Sequence, residues 1–255
     1  MPRVQGNGVR VHYESAGAGA PVVCLVHGTG GTGGVWTRQL EGLADVAHVV
    51  APDLPGHGQS GGAPRASIRE CVAFVAGFLD ALSVRHVVLG GHSMGGAVAQ
   101  EFALTYPERV DGLILVGTGA RLRVLPRLLE LLATDYPEGV SLLMRMAVSP
   151  TAPTALRASL DHAMAANPEG VVLGDLRACD AFDVMTRIDT IRAPTLAICG
   201  EEDRLTPPKY SRFFGERIAG SRVVVVPGSG HYVQVEQSEA TTAALREFAQ
   251  SCCRR

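Results

Sequence analysis

Lysine is nearly missing from this 255-residue chain: Lys209 stands alone against 22 arginines, and aromatic residues make up only 5%. We read that arginine bias as compositional. No window carries five charges of one sign and the formal net charge is −2, which excludes a nucleic-acid footprint or a polybasic membrane segment. No apolar run approaches the roughly 20 residues a bilayer demands, and the start, Met1 to Gly6, lacks the apolar core of a signal peptide. The expectation is a soluble, cytoplasmic protein with neither a nucleic-acid nor a membrane partner; nothing in the sequence sets an oligomeric state. Cys-x-x-Cys is absent, and no Cys/His grouping has zinc-like spacing, so no metal is expected. Of the six cysteines, Cys24 and Cys199 lie in apolar runs and read as small hydrophobes, and the terminal pair Cys252 and Cys253 is given no function.

Glycine is scarce in one interval only. Residues 120 to 190 hold three, whereas fifteen of the thirty fall in four short stretches, Gly28 to Gly34, Gly56 to Gly62, Gly90 to Gly96 and Gly228 to Gly230. Clustered glycine marks loops whose backbone bends sharply or approaches something closely. Between those loops run short β-branched segments: Val9 to Tyr13 after an Asn7-Gly8 hairpin signal, then Val22 to Val26, His48 to Ala51, His86 to Leu89, Leu113 to Val116, Thr195 to Cys199 and Val223 to Val226. The last six are nearly continuous apolar runs, the pattern of parallel strands covered on both faces. Ile68, Val72, Val75, Phe78, Leu79 and Leu82 repeat at helical spacing. Strands alternating with helices predict an α/β fold with a mostly parallel sheet and an antiparallel edge at the hairpin.

From Ala120 to Ile191 the alternation stops. The pattern there predicts helices over Leu122 to Leu132, Glu138 to Ala147, Thr154 to Ala166 and Val171 to Phe182, with Pro137 and Pro168 at helix starts. An insertion of this size between two strands is a candidate lid, and with no repeat and no flexible linker the chain, 1–255, reads as one domain.

The strongest chemical signal is Gly91-His92-Ser93-Met94-Gly95, placed between a strand and a helix-like run. A nucleophile on so tight a turn needs strained backbone angles and small residues two before and two after it. It also sits at a helix N-terminus, where developing negative charge is favoured. A serine hydroxyl needs a general base, and the base an orienting acid. His92 adjoins the nucleophile and should diverge from it. His27, in His27-Gly28-Thr29-Gly30-Gly31, reads as ordering its own loop. His231, in Gly228-Ser229-Gly230-His231, follows the last strand and is placed to face Ser93. Acid candidates are Glu201, Glu202 and Asp203, of which the first two read as solvated loop.

In the order of these elements the chain resembles the α/β-hydrolase family over nearly its whole length. His27-Gly28 is followed by Asp53-Leu54-Pro55-Gly56-His57-Gly58-Gln59-Ser60, then by Gly91 to Gly96, Gly200-x-x-Asp203 with Pro207, and Gly230-His231. The resemblance implies a sheet of about eight strands with helices on both faces and a helical cap, about 120–190, after the sixth strand. It makes Ser93 nucleophile, His231 base and Asp203 acid, since the acid falls after the seventh strand and the order Ser, Asp, His fits. Backbone N–H groups of Thr29 and Met94 become the oxyanion donors, with Gly30 as the substitute for Thr29. His27, Gly28, Gly30, Gly91 and Gly95 shape the loops, and Asp53 and His57 take a structural role in theirs.

Serine at the nucleophile position disfavours haloalkane dehalogenase and epoxide hydrolase chemistry, which use Asp there. The expected activity is hydrolysis of carboxylic esters of small to medium, largely apolar molecules through an acyl-enzyme, with no cofactor. The same triad also serves carbon–carbon bond hydrolases, enol-lactonases and perhydrolases, and a ligand receptor with a slow hydrolase site would retain it too. In the insertion, leucines and methionines supply aliphatic surface, and seven arginines are balanced by nine acids, so no dedicated site for an anionic carrier is expected.

Overall fold

The computed structural model describes residues 3–6 and 8–252. Asn7 of the hairpin signal and Cys253 of the terminal pair lie outside the described residues. Eight strands, β1 (Arg3–Gly6), β2 (Val9–Ala16), β3 (Val22–Val26), β4 (His48–Pro52), β5 (Val87–His92), β6 (Val110–Val116), β7 (Thr195–Gly200) and β8 (Arg222–Val226), form one sheet in the order β1-β2-β4-β3-β5-β6-β7-β8. β2 pairs antiparallel with β1 and with β4, and every other pair is parallel. The strand β1 is the one that apolar patterning did not reveal, because Arg3 and Gln5 are exposed at the sheet edge.

The chain runs from β3 out to β4, then crosses back to β5 on the other side of β3. Open parallel sheets bind ligands beside such a reversal, outside the carboxyl ends of the strands. Helices α1 (Thr37–Leu43), α2 (Ile68–Ala81) and α3 (Met94–Thr105) follow β3, β4 and β5 in turn. One face of the sheet is covered by α2 and α3 through Phe74, Phe78, Leu79, Val98 and Phe102. The other packs Trp36, Leu40, Leu43, Leu245 and Phe248 against Val23, Leu25 and Ile114. The strands of the sheet centre, covered on both faces, are therefore apolar throughout, and burial pushes the Cys24 thiol of β3 up to about 12, in keeping with an inert core group.

Between β6 and β7 lie four helices, α4 (Pro126–Thr134), α5 (Tyr136–Ala147), α6 (Thr154–Ala165) and α7 (Glu169–Asp180). The first starts four residues later than its periodicity predicts. Arg121 forms a bridge with Asp183 and the Leu122 amide donates to Phe182 O (3.4 Å), so the segment before Pro126 is extended. Pro126 then fits the first helical position, where no N–H is needed. The four helices have a core of their own, including Leu128, Leu132, Val140, Leu143, Val172 and Leu176. After β7 come α8 (Pro208–Arg217), then beyond β8 the short α9 (Val233–Glu236) and the long α10 (Ser238–Cys252). Among the described residues no helix is long and apolar enough to cross a membrane.

Candidate active site

Ser93 stands between β5 and α3 with φ 53° and ψ −115°, a region that costs a non-glycine residue on the order of 1–3 kcal/mol. Neighbours fix it there. Its amide donates to Val116 O (2.9 Å), and its carbonyl accepts from Gly96 N (2.9 Å) and Thr118 Oγ1 (2.8 Å). A side chain at Gly91 would overlap the Gly95 carbonyl, and one at Gly95 would overlap the carbonyls of Val26 and His27. The turn therefore admits no β-carbon two residues before or after Ser93. A β-carbon at Gly28 would come within 3.1 Å of Ser93 Cβ, which places the loop after β3 directly over the serine.

Asp203, after β7, and His231, after β8, meet at 2.9 Å between Oδ2 and Nδ1. The carboxylate accepts, so Nδ1 carries a proton, and in the neutral tautomer this leaves the lone pair on Nε2. Asp203 also accepts from Leu205 N (2.9 Å), Thr206 N (2.8 Å) and Thr206 Oγ1 (2.7 Å). Burial alone favours the neutral acid, but His231 and the Thr206 donors outweigh it and hold the Asp203 carboxyl at about 2, below its ordinary 3.8. Ser93 and His231 line one cavity of about 240 Å³, although no hydrogen bond joins their side chains. Catalytic contacts are often long before substrate arrives.

The other histidines are held away from this centre. His92 turns from Ser93 and donates through Nε2 to His231 O (3.0 Å), its ring 4.6 Å from the His231 ring. Burial and the neighbouring His231 keep it well below the usual histidine range, so it is a neutral prop for the backbone of His231. His27 accepts from Leu54 N (3.0 Å) at Nε2 and donates from Nδ1 to Gly28 O (2.8 Å). It thus orders its loop, and burial with the nearby His57 lowers it to about 4. Asp53 accepts from Gly33 N (2.8 Å), Gln59 N (2.9 Å) and His12 Nδ1 (2.9 Å), which makes it the tie of its loop rather than the partner of His57.

The partner of His57 is Asp175, on α7 of the insertion, at 2.9 Å. Its other ring nitrogen faces Pro55 O (3.1 Å), so both face acceptors and the imidazolium is favoured. Burial opposes that charge, yet the Asp175 contact raises the His57 pKa above its ordinary value. The same Asp175 oxygen accepts from Gly30 N (2.9 Å). Gly30 is thereby occupied, whereas the amides of Thr29 and Met94 have no hydrogen-bond partner among the described residues. Asp175 was detectable in the sequence as the one acid on the stripe Val171, Val172, Leu176, Cys179, which is the buried face of its helix.

Two further acids shape the loop of His231. Glu236 accepts from Gly230 N (3.0 Å), Tyr232 N (3.1 Å) and Ser149 N (2.9 Å), while the His231 amide donates to Ala147 O (2.6 Å). Glu202 accepts from Ser149 Oγ (2.5 Å), so it does not belong to a purely solvated loop, as Glu201 does. The end of α5 is thus bonded to the backbone that carries His231. A second cleft, about 630 Å³, lies beside Gly30, Asn167 and Gln234 and does not reach Ser93. Among the described residues no group of three His, Cys, Asp or Glu side chains is placed to hold a metal ion.

A family model described as "Alpha/beta hydrolase family" matches residues 22–245. A putative carbamate hydrolase from Azorhizobium caulinodans is 33% identical over 244 residues, 91% of this chain and 91% of its own. A 2-hydroxy-6-oxo-6-phenylhexa-2,4-dienoate hydrolase from Burkholderia cepacia is 30% identical over 268 residues, 94% of this chain and 91% of its own. Among solved structures, a thermophilic esterase is 35% identical with a TM-score of 0.89, covering 98% of this chain and 97% of its own.

Proposed function

The chain belongs to the alpha/beta hydrolase family, and from that premise we propose that it cleaves carboxylic esters of small to medium, largely apolar molecules through a serine acyl-enzyme. The observation that carries this reading is the Asp203–His231 pair sharing one cavity with a strained Ser93. Ser93 Oγ attacks the ester carbonyl while His231 Nε2 takes its proton. The oxyanion of the tetrahedral intermediate receives the N–H groups of Thr29 and Met94, each worth on the order of 3 kcal/mol. The carbonyl re-forms, the C–O bond to the leaving group breaks, and the alcohol departs with the proton from His231. Water then attacks the acyl-enzyme, its proton passing to His231 and on to Ser93 Oγ as the carboxylic acid leaves. Throughout, Asp203 stabilises the imidazolium and fixes its orientation.

Supporting the apolar preference, Leu122, Leu125, Leu128, Leu143, Met146 and Leu176 line the cavity. All six come from the insertion between β6 and β7, which we assign as the lid that selects substrate. The Burkholderia cepacia relative favours carbon–carbon bond hydrolysis as a second reading. A panel of 4-nitrophenyl esters from acetate to palmitate, beside a vinylogous dienoate ketone, separates the two, with a fluorophosphonate probe and the Ser93→Ala variant as controls. Ester turnover lost in Ser93→Ala is the expected result; a wild type that is folded, unlabelled and inactive on every ester overturns the reading.

A further inference from the structure

The cavity at Ser93 is apolar inside and cationic at its mouth. Its lining includes Arg123, Arg204 and Lys209, all three exposed, and no aspartate or glutamate. In this chain that is uneven: acids outnumber lysine and arginine, 25 to 23, and ten other arginines have a carboxylate within 4 Å, from Arg38 with Glu41 to Arg246 with Asp45. Among the described residues none of the three mouth cations has one. Arg123 donates to a backbone carbonyl, Asp180 O (2.9 Å), and Lys209 lies over the Tyr210 ring at 5.8 Å. Arg204 has no hydrogen-bond or ion-pair partner among the described residues. Other arginines also lack an ion pair among the described residues; what distinguishes these three cations is that they line one cavity.

The amino end of α8 opens at the same place, because Pro207, Lys209 and Tyr210 also line the cavity. A ten-residue helix adds the positive end of its dipole there. Behind this rim, Leu128, Leu143, Leu176 and Cys179 are buried and apolar. A ligand that matches both zones has an apolar stretch next to its scissile carbonyl and a negative charge at its far end. The balance of seven arginines against nine acids within 120–190 concealed this, since Arg204 and Lys209 come from outside the insertion and the nine acids do not line the cavity.

We propose that the natural substrate carries a carboxylate at the end of its apolar portion, held at the cavity mouth by Arg123, Arg204 and Lys209. This rests on Ser93 being the nucleophile of that cavity. Exposed ion pairs contribute about twofold each, so three acting on one carboxylate reach about tenfold in specificity. Salt weakens that gain, because the groups are solvated.

The test compares the 4-nitrophenyl half-ester of adipic acid with 4-nitrophenyl 6-methylheptanoate, in which an isopropyl group replaces the carboxylate at nearly equal shape. The readout is the ratio of their kcat/KM values, with Ser93→Ala as the blank. In the wild type the half-ester is expected to be preferred, although its isostere is the more apolar. In the Arg123→Gln, Arg204→Gln, Lys209→Gln triple variant the ratio is expected to fall about tenfold, and in 0.5 M sodium chloride the wild-type ratio is expected to fall as well. A ratio that the triple variant leaves unmoved, with both esters still turned over, overturns the proposal and leaves Ser93 its role. Failure to turn over either ester, with no fluorophosphonate labelling, overturns the reading of Ser93 and this proposal with it.

Discussion

The two sides of the cavity are built by different means. On the sheet side, the turn after β5 is fixed by backbone: a serine at φ 53°, glycines that admit no β-carbon, and the Ser93 amide bonded to Val116 O of β6. On the insertion side, position is fixed by side chains reaching across: Asp175 to His57 and Gly30, Ser149 to Glu202, and Asn167 to Gly30 O (2.8 Å). Backbone-built geometry is rigid and leaves a residue signature. Side-chain ties are individually replaceable, which suits the part of the fold that we propose sets specificity.

Breaking the sheet side at its charge is expected to have the largest effect. Asp203→Asn leaves the His231 imidazolium without its counter-charge and should lower kcat by about 10⁴ while the fold survives. Asp53→Asn removes the acceptor for Gly33 N, Gln59 N and His12 Nδ1 and should act mainly on stability. Kinetics and urea unfolding of both variants check the contrast; the reverse pattern would move the acid role to Asp53. With its carboxyl at about 2, Asp203 stays ionised through the whole neutral range. Its stabilising contribution is present above 3.8 and is lost as pH falls through about 2.

The insertion side yields at Asp175. Asp175→Asn strands a buried His57 and loosens Gly30, and breaking such a pair costs about 3–5 kcal/mol. A kcat/KM reduced by about tenfold in the folded fraction should accompany it, since misplacing the loop that carries Thr29, our proposed oxyanion donor, removes part of that donor. The pH dependence carries a sign. His57 is raised above 6.5 in the folded chain, so its contribution is complete below 6.5 and declines as pH rises through the folded value. Stability measured from pH 6 upward should lose that slope in Asp175→Asn.

His27 has the opposite sign. Lowered to about 4 from 6.5, it stays neutral in the folded chain while the unfolded chain takes up a proton. Stability should therefore fall between pH 6.5 and about 4 and level off below, by about 3 kcal/mol from this group. Urea midpoints of His27→Gln over that window should show a shallower decline. The smallest effect on stability is expected at Ser93→Gly, which relieves the positive φ and should raise stability by about 1 kcal/mol while abolishing turnover.

The same contrast explains what was legible in the sequence. The strands β3 to β8 announced themselves through nearly continuous apolar runs, and the turn at Ser93 through Gly91 and Gly95, because each needs a particular residue type whatever surrounds it. The four insertion helices were visible by spacing, but the start of α4 was not, since the extended segment before Pro126 is held by Asp183 and Phe182 some sixty residues away. The Asp203–His231 contact joins residues on different loops and was legible only through the order of motifs. Asp175 and Glu236 carry no local signature beyond an acid on an otherwise apolar face or a few residues after the base. Their roles consist of bonds to backbone amides that only the folded chain brings near.

The central claim is that one serine is activated by the His231–Asp203 pair, and peptide mass spectrometry after fluorophosphonate labelling tests it most directly. The account predicts a single adduct, on Ser93, that is absent in Ser93→Ala and forms far more slowly in His231→Ala. An adduct on another residue, or labelling of Ser93 at the wild-type rate without His231, would contradict it.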